Sequence, residues 1–245
     1  MSQPPAPSTG PPSAPAGTDL RRAILWRFAQ ILGQQVLVAI LLFASAGTWR
    51  WTRAWLYLGL GLMLLSGTAV WVLPRNPEII AERGRLHRGT QGFDKIILIL
   101  YTVFLLACFG LCGLDAVRFA WAPLSWEWAV PGALLMAAGT APIAAAMAVN
   151  RNLEQTVRIQ ADRGHEVATE GPYRYVRHPM YLGLLPSFVG IPLVLGSAWG
   201  LVPAGACVLT ILVRTALEDR MLRRSLAAYA EYAGRTRYRL FPGIR

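Results

Sequence analysis

The chain has 245 residues, of which 54% are hydrophobic and only 15% are charged, and its formal net charge is +11. Soluble globular domains carry about 25% charged residues, so the composition excludes an ordinary soluble enzyme. The positive charge does not indicate a nucleic-acid partner, because the apolar residues form long blocks and the arginines stand between the blocks. This pattern predicts an all-α fold, a polytopic transmembrane helical bundle.

The chain begins with a segment unlike the rest. Residues 1–20 are rich in Pro, Ser, Ala and Gly and contain almost no large apolar side chain. Such a segment cannot bury enough surface to order itself, so we predict a disordered N-terminal tail. It lacks the basic start and the short apolar core of a signal peptide. Residues 21–149 are expected to hold the N-terminal transmembrane helices, about four spans.

Six apolar blocks follow the tail, and about 20 residues of helix are needed to cross the hydrocarbon core of a membrane. The first four blocks are long enough. The last two are shorter and contain Pro186, Pro192 and Pro203, which favours a tight helical hairpin that is kinked or shallow. We therefore predict six spans, with five as the alternative. The blocks cover residues 24–46, 54–73, 96–114, 128–149, 181–198 and 201–217.

Basic residues and tryptophans set the expected orientation. With the N-terminus in the cytoplasm, most of the 24 Lys and Arg residues fall in cytoplasmic loops and tails, and Arg50, Arg53 and Arg118 remain outside. Seven tryptophans then lie near the outer ends of the spans, where such side chains are enriched. They are Trp49, Trp51, Trp55, Trp121, Trp126, Trp128 and Trp199. We predict a plasma (inner) membrane protein in contact with membrane lipids, with both termini cytoplasmic.

The cysteines have a structural interpretation. Cys108, Cys112 and Cys207 all lie inside apolar blocks, with no CxxC pair. Metal ligands of the His or Cys type are not grouped with them. They are expected to pack as small core residues, and no metal site is predicted.

The first apolar block carries a polar stripe at helical spacing, formed by Arg27, Gln30 and Gln34. Polar side chains are costly in lipid, so the stripe should face other helices or the cytoplasmic interface. We interpret Arg27 as a side chain that extends toward the interface, and the glutamines as contacts between helices.

Polar groups collect in the segment 150–180 and after the last block. Glu218 and Asp219 are adjacent acids at the end of that block. Arg214 and Glu218 are four residues apart and share a helix face, so Glu218 either pairs with an arginine or binds a cationic ligand. His178 precedes a proline, which favours an extended backbone, and this histidine is either a packing residue or a catalyst. Spacing and composition alone indicate a ligand site at the cytoplasmic face.

The residues around these positions form an ordered motif. The run Gly171-Pro-Tyr-Arg-Tyr-Val-Arg-His-Pro-Met-Tyr-Leu-Gly183 is preceded by His165 and followed, after the hairpin, by Glu218-Asp219. It resembles the isoprenylcysteine carboxyl methyltransferase family, integral membrane enzymes related to the phospholipid N-methyltransferases. Residues 145–242 share the resemblance, with Asp219 in place of the family's second glutamate.

The resemblance implies that residues 150–245 form a cofactor-binding region with a final hairpin and a C-terminal tail. The implied cofactor is S-adenosyl-L-methionine, and the implied methyl acceptor is a lipophilic or prenylated molecule. Arg214 matches a position near the substrate, and Arg214 and His178 are the expected catalytic residues. The positions matching cofactor contacts are Gln160, His165, Glu166, Val167, Ala168, Tyr173, His178, Pro179, Met180, Tyr181 and Glu218.

The sequence leaves the reaction open between three hypotheses. Carboxyl O-methylation of an isoprenylcysteine-like acceptor needs no strong base, because a carboxylate is ionised at pH 7. N-methylation of a phospholipid amine requires removal of a proton, for which Glu170, Asp219 and His178 are candidates. The third hypothesis is a membrane binding or scaffold protein that retains the pocket without activity.

Overall fold

The computed structural model describes residues 17–83, 91–153 and 167–243. Within these ranges the chain is helical, and its only β-type pairing is an isolated antiparallel bridge between Pro123 and Ser197. The helices are α1 (Gly17–Ala46), α2 (Thr52–Val72), α3 (Pro77–Glu82), α4 (Gly92–Gly113), α5 (Ala129–Val149), α6 (Pro179–Leu195), α7 (Leu201–Ser225) and α8 (Ala227–Arg235). The predicted all-α bundle is confirmed.

Five of these helices, α1, α2, α4, α5 and α7, are long and apolar enough to cross a membrane. The expected sixth span corresponds to α6, which has 17 residues and is shorter than the other five. Several boundaries differ from the prediction, and two of them by the most. The first block begins at residue 24 but α1 begins at Gly17, and the last block ends at 217 but α7 continues to Ser225. Glu218 and Asp219 therefore belong to α7.

Helix α6 is mostly buried because glycines let it approach α5 closely. A Cβ added to Gly183 would meet the carbonyl oxygen of Gly139, and a Cβ added to Gly190 would lie 2.6 Å from the carbonyl oxygen of Gly132. The two glycines on each helix are seven residues apart, about two turns, so they lie on one face. The backbones are thus in contact at two levels, as small residues allow between membrane helices.

Arg53 binds the C-terminal end of α6. The sequence places it in an outer loop, but it is only 7% exposed. Its guanidinium donates to the carbonyl oxygens of Val194 and Leu193 at 3.0 and 3.1 Å and to those of Leu124 and Ser125 at 2.6 and 3.1 Å. A cation at a helix C-terminus satisfies carbonyls that have no partner within the helix.

A buried carboxylate, Asp115, fastens the turn between α6 and α7 at the same end. It accepts hydrogen bonds from the Ser197 hydroxyl at 2.5 Å and from the backbone amides of Trp199 and Ala122 at 3.1 and 2.7 Å. Six of the seven interfacial tryptophans surround this region as exposed side chains, and Trp51 is buried. We call this the tryptophan end; its exposed members are Trp49, Trp55, Trp121, Trp126, Trp128 and Trp199.

The three cysteines are free and buried, as predicted. Cys108 and Cys112 lie in α4, and Cys207 lies in α7, where they pack in the main hydrophobic cluster. The core of the bundle is built around α4, α6 and α7, while α1 and α2 expose large apolar side chains such as Leu32 and Leu62. This distribution is typical of helices that face lipid.

Candidate functional site

The end of the bundle opposite the tryptophan end gathers most of the buried charge. It is formed by the segment before α6, the C-terminal half of α7, α8 and the chain that follows α8. We call it the polar end. Its buried ionic residues are Asp94, Arg177, Arg214 and Asp219.

Asp219 is the centre of an ionic cluster. Its carboxylate, which is 1% exposed, accepts two hydrogen bonds from Arg177, at 2.7 Å from Nε and 3.3 Å from Nη2. Arg223 and Arg239 approach Oδ2, which also accepts from Nη2 of Arg177, at 3.1 and 3.2 Å. The Tyr229 hydroxyl donates to Asp219 at 3.0 Å. One carboxylate thus joins α7, α8, the Arg-His-Pro segment and the tail.

Backbone hydrogen bonds complete the docking of the tail. The amides of Arg177 and His178 donate to the carbonyl oxygens of Tyr238 and Arg239, both at 3.0 Å. Arg177 also donates through Nη1 to the carbonyl oxygen of Thr236 at 2.7 Å. The Arg-His pair of the motif is therefore held between α7 and the tail, which fixes the start of α6.

Glu218 lies on a different face of α7 from Asp219 and has a different environment. It is half-buried, and it accepts a 2.6 Å hydrogen bond from the hydroxyl of Tyr181. The ring of Tyr181 stacks on the ring of His178, with centroids 5.6 Å apart and planes inclined by 7°. His178 Nε2 in turn lies 3.3 Å from the Tyr229 hydroxyl and 3.6 Å from Asp219.

Arg214 has a partner on another helix that its spacing to Glu218 does not suggest. Its ion pair reaches across to Asp94 at the start of α4, with 2.8 Å from Nε and 3.2 Å from Nη2. Both partners are buried. The Arg214 guanidinium also lies over the ring of Tyr181, 5.3 Å from its centroid. Arg214 therefore touches the same tyrosine that binds Glu218.

The structure brings most of the other predicted site residues to the same place. Tyr173, Pro179 and Met180 are buried, and Val167 and Ala168 are partly buried against the main cluster. The Tyr173 hydroxyl accepts a hydrogen bond from Asn150 at 2.8 Å. Arg83 Nη1 lies 3.4 Å from the Met180 sulfur. Three further predicted contacts, Gln160, His165 and Glu166, lie outside the described residues.

The tyrosines of this region are held neutral. Burial raises the pKa of Tyr232 to about 12. Burial also raises the pKa of Tyr173 and of Tyr229, and the negative charge of Asp219 adds to the increase at Tyr229. Each hydroxyl therefore keeps its proton at neutral pH. Tyr232 uses its proton to bind the carbonyl oxygen of Tyr173 at 2.7 Å.

The sequence did not indicate Asp94 as a site residue, and it did not indicate the partner of Arg177. Asp94 is an isolated acid before an apolar block, and its partner Arg214 is 120 positions away, beyond any local spacing rule. Arg177 belongs to the recognised motif, but nothing in its neighbourhood shows that it binds Asp219. An acid at the start of an apolar block, unexplained by an arginine nearby, was the available signal for Asp94.

These features define an α-helical bundle of the membrane-protein type, with buried ionic and aromatic side chains gathered at one end. Residues 128–228, which run from the start of α5 to α8, match the family model described as phospholipid methyltransferase. This part of the chain is therefore similar to a family of integral membrane methyltransferases, in agreement with the resemblance seen in the sequence. A comparison with curated proteins gives no match.

Proposed function

We propose that this protein is an integral membrane methyltransferase that uses S-adenosylmethionine to methylate a lipophilic acceptor at its polar end. The observation that carries the proposal is the contrast between two adjacent acids. Asp219 is bound by three arginines, whereas half-buried Glu218 accepts a hydrogen bond from neutral Tyr181. A carboxylate in that environment suits the ammonium group of the cofactor.

The neighbouring groups fit the rest of the cofactor. The stacked rings of His178 and Tyr181 form an aromatic wall of the kind that attracts a sulfonium. Tyr173, Pro179 and Met180 are buried in the same region, and Val167 and Ala168 are partly buried against the main cluster. By the resemblance, Gln160, His165 and Glu166 complete the set. When bound, the cofactor supplies an electrophilic methyl group.

The protein's own contribution is then to orient two substrates and to exclude water. His178 supports this by holding Tyr181 through ring stacking, with its Nε2 directed to Tyr229 and Asp219. Arg214 is assigned to the acceptor by the resemblance. Because Asp94 already accepts from its Nε and Nη2, we propose that Arg214 acts on the acceptor by its charge rather than by a bidentate contact.

We propose carboxyl O-methylation of an isoprenylcysteine-like acceptor as the reaction. A carboxylate acceptor needs no deprotonation at pH 7. An amine acceptor needs a base, and two of the three candidate bases are in environments that do not suit proton removal. Asp219 is surrounded by arginines, and Glu170 is exposed. The second candidate is N-methylation of a phospholipid amine, favoured by the description of the matched family. That reaction would leave His178 as the base.

We also propose that the polar end faces the cytoplasm, where the cofactor is made, and that the protein lies in the plasma membrane. The support is the excess of arginine at this end and the exposed tryptophans at the other. Cysteine labelling of single sites at either end in intact cells tests the orientation.

The decisive experiment is calorimetric titration of the purified protein with S-adenosylmethionine. A charge-assisted hydrogen bond contributes about 1.5–3 kcal/mol, so Glu218→Gln should weaken binding about 10- to 100-fold. Glu231→Gln is the matched control, because Glu231 is an exposed glutamate paired only with Arg235 within the described residues. Absence of binding to the wild-type protein contradicts the proposal, and equal binding by Glu218→Gln contradicts the role of Glu218.

Transfer of a labelled methyl group then separates the reactions. A prenylcysteine acceptor should give a product that base hydrolyses, as methyl esters are hydrolysed. A base-stable product formed on phosphatidylethanolamine identifies the N-methyltransferase instead. Cofactor binding without transfer to either acceptor supports a binding or scaffold protein.

A further inference from the structure

A cavity of about 470 Å³ lies among α1, α2, α5 and α6, next to the polar end. This volume is within the range of small-molecule sites, about 300–1,000 Å³. If a methylene group takes about the 30 Å³ of a water molecule, the cavity holds roughly 15 methylenes, or one hydrocarbon chain. Its apolar wall includes Phe28, Ile31, Leu62, Leu65, Ile143 and Leu184.

Three hydroxyl groups in the wall are already used within their own helices. Thr68, Thr140 and Ser187 each donate to the backbone carbonyl four residues earlier, at 2.9, 2.8 and 2.9 Å. These three protons therefore need no partner from a bound hydrocarbon chain.

The cavity reaches the lipid-facing surface of the bundle. Phe28 on α1 and Leu62 and Leu65 on α2 line it and are also exposed, Leu62 by 59%. A molecule dissolved in the membrane can therefore enter sideways between α1 and α2 without crossing water.

One side of the cavity is marked by two arginines, Arg27 from α1 and Arg83 after α3. Burial lowers the pKa of Arg83 to about 10, and the neighbouring positive charge of Arg27 adds to the decrease. Both arginines line the same cavity, and a guanidinium beside an apolar chain suits an anionic group at the end of that chain.

The arginine end of the cavity adjoins the proposed cofactor site. Arg83 is 3.4 Å from the sulfur of Met180, a predicted cofactor contact. Leu184, Ser187 and Ile191 line the cavity from α6 and follow Met180 at steps of four, three and four residues. These positions share one helix face, so a single stripe of α6 leads from the cofactor site into the cavity.

We propose that this cavity is the acceptor site, that it takes one hydrocarbon chain, and that Arg27 and Arg83 bind an anionic group at the end of that chain. The acceptor class is then an anionic single-chain lipophile rather than a neutral amine or a two-chain phospholipid. The inference rests on the proposed methyltransferase function. It assigns the direct contacts with the acceptor's charged group to Arg27 and Arg83, which lie outside the matched region 128–228, and leaves Arg214 to act at longer range.

The test measures binding without the cofactor, so it does not depend on methyl transfer. Cis-parinaric acid, its methyl ester and the corresponding amine are titrated by fluorescence into the protein in phosphatidylcholine nanodiscs, with empty nanodiscs subtracted. The wild-type protein should bind the acid at least about tenfold more tightly than the ester, as expected for charge-assisted hydrogen bonds. Arg83→Gln and Arg27→Gln should each reduce that preference, while Arg75→Gln should leave it unchanged.

A second pair of variants tests the cavity rather than the charge. Gly61 lines the cavity, and a Cβ added there makes only an ordinary contact, 3.6 Å from Gln35. Gly61→Leu should therefore fill the space and weaken the acid, ester and amine alike. Gly59→Leu is the matched control on the same helix, because a Cβ there meets nothing within 4 Å and Gly59 is not among the lining residues.

Three results overturn the inference. The first is an unchanged preference for the acid in both arginine variants, and the second is equal binding by Gly61→Leu and Gly59→Leu. The third is displacement of the probe by phosphatidylglycerol but not by an S-prenylcysteine, which identifies a structural lipid. Calorimetry with S-adenosylmethionine on the same samples shows separately whether the cofactor binds, so failure of the proposed function remains distinguishable.

Discussion

Asp219→Asn tests whether the second acid of the pair serves structure or catalysis. The substitution keeps the size of the side chain but removes the charge that faces Arg177, Arg223 and Arg239. Arg177 and Asp219 are each 1% exposed at the side chain. Loss of one partner of such a buried pair costs about 3–5 kcal/mol, because the other charge stays buried without compensation.

The other two arginines add little to this estimate. Arg223 and Arg239 are 43% and 45% exposed, and pairs with solvent-exposed partners contribute about 0–1 kcal/mol each. The expected loss is therefore about 3–5 kcal/mol, nearly all from Arg177. That is a large fraction of the 5–15 kcal/mol by which domains are typically stable.

Hydrogen exchange locates the effect, and thermal unfolding in detergent measures it. Asp219→Asn should increase exchange at the amides of Arg177 and His178, whose acceptors are in the tail. Combined with Arg177→Gln, it should cost less than the sum of the single changes, since both remove the same pair. Glu231→Gln should stay within about 0.5 kcal/mol of the wild type. Unchanged stability and exchange, together with lost methyl transfer, would refute this account and make Asp219 a catalytic base.

Two further predictions concern the helix packing. Gly183→Leu should destabilise the bundle by about 1–3 kcal/mol in thermal unfolding, because its side chain would force α5 and α6 apart, whereas Gly205→Leu meets open space and should have little effect. Arg53→Gln should cost about 1–3 kcal/mol for each carbonyl left without a donor at the end of α6. Arg50→Gln is its control. A stable Arg53→Gln variant would mean that water replaces the guanidinium.

The helices could be predicted from the sequence because each long apolar block imposes one on a chain in lipid. Their ends were less accurate. Helix α7 continues past the apolar block because its polar residues pack against α8 and the tail, and hydropathy does not record such contacts. The glycines at the contact between α5 and α6 were missed for a similar reason, because the sequence does not show which residue of another helix each glycine faces.

The site was predictable as far as the motif extended. Tyr181 and Glu218 are together as expected, although the motif gives no hint of the hydrogen bond between them. The spacing of Arg214 and Glu218 left Glu218 either paired with an arginine or binding a cationic ligand, and it gave no sign that Arg214 binds Asp94. Local rules cannot anticipate a partner from another helix.

Adjacent residues of a helix point about 100° apart, so the two acids of α7 lie on different faces and contact different partners. Asp219 faces the tail and holds it against the Arg-His-Pro segment, while Glu218 faces Tyr181. Because His178 contacts Asp219 on one side and stacks on Tyr181 on the other, a displaced tail also disturbs the ring that binds Glu218. The cofactor affinity of the protein should therefore depend on residues 236–243, whose hydrogen bonds reach the backbone of Tyr173 and His178.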